Sequence, residues 1–156
     1  METTLGRNDQ VVVRGLRPED MDAVVALDAR NTGKRRKEYF KVKLQQNLSE
    51  TGVKVSLAAE LDGMFVGFLL ARVMYGEFGQ AEQVAVLDTI NVHSDFSGKK
   101  VGGCLLDQLA MNLRGLGVDH LQTQVGWDDM RLMAFFQREG FKPAPRICID
   151  FDLTAR

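Results

Sequence analysis

The chain has 156 residues, a length for one domain, and its 45% hydrophobic and 26% charged content is that of ordinary globular proteins. Folding at this length buries about 68–70% of the unfolded chain's surface, so the core needs neither metal nor disulfides. The balance of 20 Lys and Arg against 21 Asp and Glu, a net charge of −1, argues against a general nucleic-acid binder.

The first predicted element is a strand at 10–16. Pro18 with Glu19 and Asp20 then opens a helix whose buried stripe is Met21, Val24 and Val25. A second helix is expected over 34–48, with Phe40, Leu44 and Leu48 four residues apart. Strands follow at 54–61 and 65–75 around Asp62-Gly63, a hairpin turn signal, and a third at 83–92. The helix from Val101 to about Leu113 keeps Val101, Leu105, Leu109, Asn112, Leu113 and Leu116 to one side, and Gly115 and Gly117 stop it. A strand at 120–125 and a short helix at 130–139 precede a closing strand at 146–153, with Ile147, Ile149, Phe151 and Leu153 on one face. The order is α+β. Residues 1–9 are expected to be flexible and 10–156 to form one domain, without repeats or low-complexity tracts.

No apolar run approaches the roughly 20 residues that span a bilayer, and Met1–Gln10 is polar with no signal-peptide core. These features, with two cysteines that suit a reducing compartment, point to the cytoplasm. Cys104 has no His nearby in sequence and reads as a packed small residue rather than a nucleophile.

The most informative stretch runs from Ile90 to Leu106: an apolar strand end, a polar turn, then Gly102 and Gly103 opening a helix. A helix N-terminus reached through small residues presents unpaired backbone N–H groups, a seat for pyrophosphate. Lys99 and Lys100 add positive charge. A Walker A loop would need glycine where His93 stands and Ser or Thr where Lys100 stands; the dinucleotide fingerprint fails at Gly98, Lys100 and Val101.

From Leu87 through Leu106 the chain resembles the acyl-CoA signature of the GNAT superfamily of N-acetyltransferases. Ser97 takes the place of the family's Arg or Gln, Lys100 that of its first glycine and Gly102 that of its last. A second block, Asp129 to Phe141, resembles the family's late helix, with Gly140 where a left-handed C-cap belongs. The resemblance implies a GNAT-like three-layer α+β fold: a mixed, mostly antiparallel sheet splayed in the middle, with about four helices on its two faces. It also implies acetyl-CoA as acyl donor, lying in the splay. Main-chain groups of Ile90, Asn91 and Val92 would then bond the pantetheine arm as an added strand does, and Gly98, Lys99, Lys100, Val101, Gly102 and Gly103 would clasp the pyrophosphate. Asp129 stands where relatives carry an asparagine touching that arm. Phe136 stands where many carry a proton-donating tyrosine.

Such transfer needs a base to strip a proton from an ammonium of pKa about 10 and a means of stabilising an oxyanion. Asp88, an acid in an otherwise apolar strand, is the preferred base; Asp128 is the second candidate, although an aspartate before a helix also reads as an N-cap. With phenylalanine at 136, Tyr75 is an alternative proton donor. Asp28 continues the apolar stripe of the first helix and could hold an amine, and Arg30 lies in the basic link that leads to Lys34-Arg35-Arg36-Lys37. Trp127 reads as cover for the core edge.

The sequence is thus read as an N-acyltransferase moving an acetyl group from acetyl-CoA to a primary amine of a small molecule or protein, by direct attack in a ternary complex. No metal and no membrane partner are expected, and a homodimer is compatible with the apolar last strand. The alternatives are a CoA-binding regulatory module without catalysis, or an RNA-contacting protein using the basic helix 34–43.

Overall fold

Asp62 and Gly63 both take left-handed backbone (φ 51° and 79°), the twist that lets a two-residue turn join strands, and a meandering sheet is built outward from that hairpin. The structure is a computed structural model describing residues 2–3, 10–48 and 54–155. The chain forms two compact units, Met1–Gln124 and Val125–Arg156. Residues 4–9 of the N-terminal segment lie outside the described residues.

In the first unit the elements are β1 (Glu2–Thr3), β2 (Val11–Gly15), α1 (Met21–Thr32), α2 (Lys37–Leu48), β3 (Leu57–Leu61), β4 (Met64–Tyr75), β5 (Gln83–Val92), α3 (Val101–Gly115) and β6 (His120–Thr123). The strands pair in chain order, all antiparallel except β5 with β6, which run parallel. A 3-10 turn over Pro18–Asp20 leads into α1, and Gly33 ends it in left-handed conformation, its N–H donating to Ala29 O at 2.8 Å. The second helix begins at Lys37 rather than 34, because Gly33 and the Thr32 hydroxyl hold residues 32–34 in a turn.

Register assigns the two faces. Phe68 and Leu70 of β4 pack with Leu16, Val24, Val25, Leu27, Phe40, Leu44 and Leu48, so α1 and α2 cover that side. Gly67, one residue out of phase, meets Val101 and Leu105 of α3: a Cβ built on it would lie 3.0 and 3.3 Å from their side chains. Helices therefore cover both faces and make three layers, the GNAT-like architecture the sequence implied. No described helix is long and apolar enough to cross a membrane.

The second unit holds α4 (Met130–Arg138). Asp129 caps it, accepting the Leu132 N–H at 3.1 Å. At its end Gly140 is left-handed, and Phe141 N–H donates to Phe136 O at 2.9 Å while the two rings meet at 4.8 Å, the Schellman closure anticipated from Gly140-Phe141. The closing strand is a correction: residues 141–152 join no sheet, so Cys148 is not in a strand, and Ile147, Ile149, Phe151 and Leu153 are exposed. Alternation marks what a segment would do against a sheet edge but does not supply the edge.

Candidate active site

The sheet opens along β5. Its ladder with β6 covers only Val84–Leu87, and the Thr123 hydroxyl closes it by donating to Leu87 O at 2.8 Å. From Asp88 to Val92 the strand continues on β4 alone. Here the β4 register jumps from Leu70 opposite Thr89 to Ala71 opposite Leu87, leaving Asp88 as the extra residue of a bulge. Bulges re-aim side chains and end pairing, and this one stands where β5 parts from β6. Beyond it, His93 N–H donates to Val66 O at 2.8 Å, so alternation turns the main-chain groups of Ile90 and Val92 away from β4, toward the opening. Val92 O there accepts the Asn31 side-chain amide at 3.1 Å.

Asp88 is held on the α1–α2 face. Arg72 of β4 grips it through two bonds, Nε to Oδ2 at 2.8 Å and Nη2 to Oδ1 at 3.1 Å, and Lys43 Nζ of α2 lies 3.7 Å from Oδ2. The hydrogen bond that Arg72 donates to Asp88, opposed by partial burial and aided by the carboxylate's charge, raises the Arg72 pKa above the ordinary arginine value. A carboxylate so fixed is oriented, with one oxygen shared between two cations.

A second polar cluster ties α1 to the end of β5. The Asp28 side chain is 1% exposed and accepts both Arg36 Nε (2.9 Å) and Nη2 (2.8 Å). Asn91 Nδ2 lies 3.5 Å from Asp28 Oδ1, and Asn31 Nδ2 donates to Asn91 Oδ1 at 2.9 Å. The bond that Arg36 donates to Asp28, again opposed by burial, raises the Arg36 pKa. Arg36 also lies over the Tyr39 ring at 4.7 Å. Arg30 reaches Asp95 of the following loop at 3.2 Å, both side chains well exposed.

That loop is a 3-10 segment over Ser94–Lys99, with the His93 ring accepting Asp95 N–H at 3.2 Å; Gly98 and Lys99 are its last residues. Lys100 is left-handed (φ 59°, ψ 32°) and stands at the N-cap of α3. Cys104 N–H donates to Lys100 O at 3.1 Å, an i to i−4 bond at the start of α3. The N–H groups of Val101, Gly102 and Gly103 precede it, where helix geometry supplies no intrahelical acceptor. Lys100 thus takes the backbone that glycine is used for, which accounts for a turn of this shape without glycine at that position.

The structure therefore brings Asp88, Ile90, Asn91, Val92, Asp28 and Arg30 to one region of the first unit, with Val101, Gly102 and Gly103 opening α3 a few residues beyond β5. Tyr75 is not brought there. It lies opposite Gln83 at the far end of β5, about 30 Å along the strand from Val92 at the usual rise, and is exposed. Asp128 is an exposed turn residue and Asp129 a helix cap; Phe136 is buried between Phe135 and Phe141, a ring with no proton to give. Arg72, Lys43, Asn31 and Arg36 were missed as site residues. The register pairs Arg72 with Val86 and so makes Asp88, two residues further along β5, its diagonal neighbour.

Residues 21–141 match the model of the acetyltransferase (GNAT) family, and the chain belongs to that family of N-acetyltransferases. No curated protein sequence matches the chain. Solved structures share its fold at low identity. An aminoglycoside 6'-N-acetyltransferase from Acinetobacter baumannii has a TM-score of 0.77 and 16% identity, covering 91% of this chain and 97% of its own. A ribosomal-protein-alanine N-acetyltransferase from Brucella melitensis biovar Abortus 2308 has a TM-score of 0.72 and 20% identity, covering 92% and 99%. An aminoglycoside N-acetyltransferase in complex with CoA has a TM-score of 0.76 and 16% identity, covering 92% and 95%.

Proposed function

We propose that the protein transfers an acetyl group from acetyl-CoA to a primary amine of a small molecule or protein, within a ternary complex in the cytoplasm. The observation that carries this reading is the opening of β5 at Asp88, which leaves main-chain groups of Ile90 and Val92 facing away from β4, in line with an α3 N-terminus preceded by Lys99 and Lys100. These parts fit the donor: strand-like groups for an amide-bearing arm, and Val101, Gly102 and Gly103 amides with a helix dipole for a diphosphate. Acetyl-CoA, when bound, supplies an acyl carbon already activated as a thioester.

The chain's own task is to hold the amine near that carbon and take its proton. The amine enters as an ammonium of pKa about 10 and attacks only once neutral, with a water relaying its proton toward Asp88. Asp88 attracts the cation and receives the proton, with Arg72 fixing its orientation. The amine lone pair then forms the C–N bond, the C–S bond breaks, and the second N–H proton passes to the departing thiolate, whose modest basicity makes a tyrosine at position 136 dispensable. The acceptor lies against α1 and α2 on the side of Arg30; Asp28, expected to hold the amine, is instead buried and bound to Arg36, and supports that wall from within.

The test has two stages. Acetyl-CoA and CoA should each raise the melting temperature, and free thiol should be released over a panel of amines; a melting temperature unmoved by both coenzyme forms sinks the reading. Thiol release absent with every amine, despite coenzyme binding, would favour a CoA-binding regulator, and a shift with short RNA alone would favour the basic helix as an RNA contact. Asp88→Asn should lower the rate across the profile and most where the amine is protonated, leaving the rise toward alkaline pH steeper. An unchanged profile removes Asp88 as proton acceptor.

A further inference from the structure

The side of α2 turned toward β5 carries positive charge that the transfer chemistry leaves unused. Phe40 N–H donates to Arg36 O at 3.1 Å, so Arg36 is already in phase with the helix, and Arg36, Tyr39 and Lys43 fall at i, i+3 and i+7 along one side of it. Facing them are Asp88, Thr89 and Asn91 of β5; Thr89 pairs with Leu70, whose side chain packs under α1 and α2. The two rows match in length, since seven helical residues and three strand residues each span about 10 Å. Arg36 meets the Asn91 end through Asp28, Lys43 meets the Asp88 end, and Tyr39, 38% exposed, stands between them.

The charges along this strip do not balance. Asp28 and Arg36 neutralise one another. At Asp88 a single carboxylate meets both Arg72 at 2.8 Å and Lys43 at 3.7 Å, and the two cations remain 37% and 22% exposed. Glu77, in the turn after β4, adds a longer-range attraction to Arg72. Asp88 draws an ammonium toward it, but the two cations upon it offset that pull, and a polyamine meets their repulsion at every further charge. An amine that carries carboxylates reverses the balance, because its ammonium faces Asp88 while its carboxylates face Arg72 and Lys43. The surroundings favour the same ligand. Residues 30–43 hold seven of the chain's 20 Lys and Arg with Glu38 as their only acid, and Lys34, Arg35, Lys37 and Lys41 are exposed. In a chain of net charge −1 so local a concentration steers anions toward the strip. A nucleic-acid backbone would use only those exposed side chains, since Asp88 stands between the two inner cations.

We infer that the acceptor is an anionic amine, a primary amine with carboxylates a few bonds away, held between α2 and the end of β5; this rests on the acetyl-transfer reading above. The experiment measures calorimetric binding to the full chain with CoA present, then thiol release from acetyl-CoA with the same acceptors. The probes are the peptides Ala-Glu-Glu, Ala-Gln-Gln and Ala-Lys-Lys, free glutamate and glutamine, and a short RNA. Ala-Glu-Glu should bind about tenfold more tightly than Ala-Gln-Gln at low salt, with the margin shrinking at high salt and Ala-Lys-Lys weakest. Lys43→Gln should cut that margin to about threefold or less and Lys43→Arg should keep it, whereas a residue that only supports the fold would change both peptides alike. The same preference for free glutamate over glutamine assigns a small acceptor, and a preference confined to the peptides assigns a protein segment. No binding of Ala-Glu-Glu, equal binding of acid and amide, tighter binding of Ala-Lys-Lys, RNA bound in place of the acidic peptide, or a margin that Lys43→Gln leaves intact overturns the inference. Ala-Glu-Glu bound with the expected margin but without thiol release fails the transfer reading and leaves the preference for anions standing.

Discussion

Lys100→Gly should make the protein more stable, although it deletes a side chain and adds a glycine. Lys100 sits at φ 59°, ψ 32°, a conformation that costs an L-residue roughly 1–2 kcal/mol. Glycine escapes that cost but loses about 0.5–1 kcal/mol through its freer unfolded chain. The net gain is about 0.5–1 kcal/mol, which at roughly 2–4 °C per kcal/mol for a chain of this size raises the melting temperature by about 1–4 °C. Lys100→Ala separates backbone from charge: it keeps the strained conformation and gains nothing. If the Lys100 ammonium also contacts a bound diphosphate, both variants lose about 1 kcal/mol of coenzyme affinity, roughly fivefold, and the loss shrinks at high salt. Thermal unfolding and coenzyme titration at two salt concentrations measure all of this. A glycine variant no more stable than wild type, or an alanine variant that gains equally, refutes the strain argument.

Three further outcomes follow from the packing. Gly67→Ala places a Cβ 3.0 Å from Val101 Cγ1 and 3.1 Å from Asn91 O; chemical denaturation should show a loss of about 1–3 kcal/mol, with weaker coenzyme binding because Asn91 and Val101 must both yield. Arg36→Met leaves the Asp28 carboxylate, 1% exposed, without its cation, and should cost about 2–3 kcal/mol in the same assay, whereas Arg30→Ala, at an exposed pair, should stay within about 0.5 kcal/mol. The Asp20 carboxyl feels burial pushing its pKa up, yet bonds from Arg14 and from Arg17 N–H outweigh burial and hold it below the ordinary aspartate value. A depressed pKa means stability that is full above the unfolded value near 4 and lost as pH falls through the folded one. Acid titration of stability should therefore fall below about pH 4, and Asp20→Asn should flatten that limb while lowering stability at pH 7 by about 3 kcal/mol.

Local chemistry explains why much of the architecture could be read from the chain. The Asp62-Gly63 turn, the four-residue spacing of Phe40, Leu44 and Leu48, and the Gly140-Phe141 helix end each encode their geometry within a few residues. The departures needed information from afar. Residues 146–153 alternate like a strand, but pairing requires an edge that the described chain does not give them. Lys100 has no intrinsic liking for left-handed backbone, so its conformation is imposed by the strand and helix it connects. Asp88 stood out as an acid among apolar neighbours, while its partners Arg72 and Lys43 come from a strand 16 residues and a helix 45 residues upstream, a juxtaposition that no local pattern carries.

The extra residue in β5 sets the phase of everything after it. Leu87 lies opposite Ala71 and Ile90 opposite Leu69, so both look toward α3 although three positions separate them. Asn91, opposite Phe68, is thereby rotated onto the side where Asp28 and Asn31 reach it. Were Asp88 instead paired in register opposite Leu70, the last four side chains of β5 would invert and Asn91 would face α3, out of reach of Asp28 and Asn31. One odd-numbered insertion thus lets a single strand serve as core wall in its first half and as a hub for polar contacts in its second.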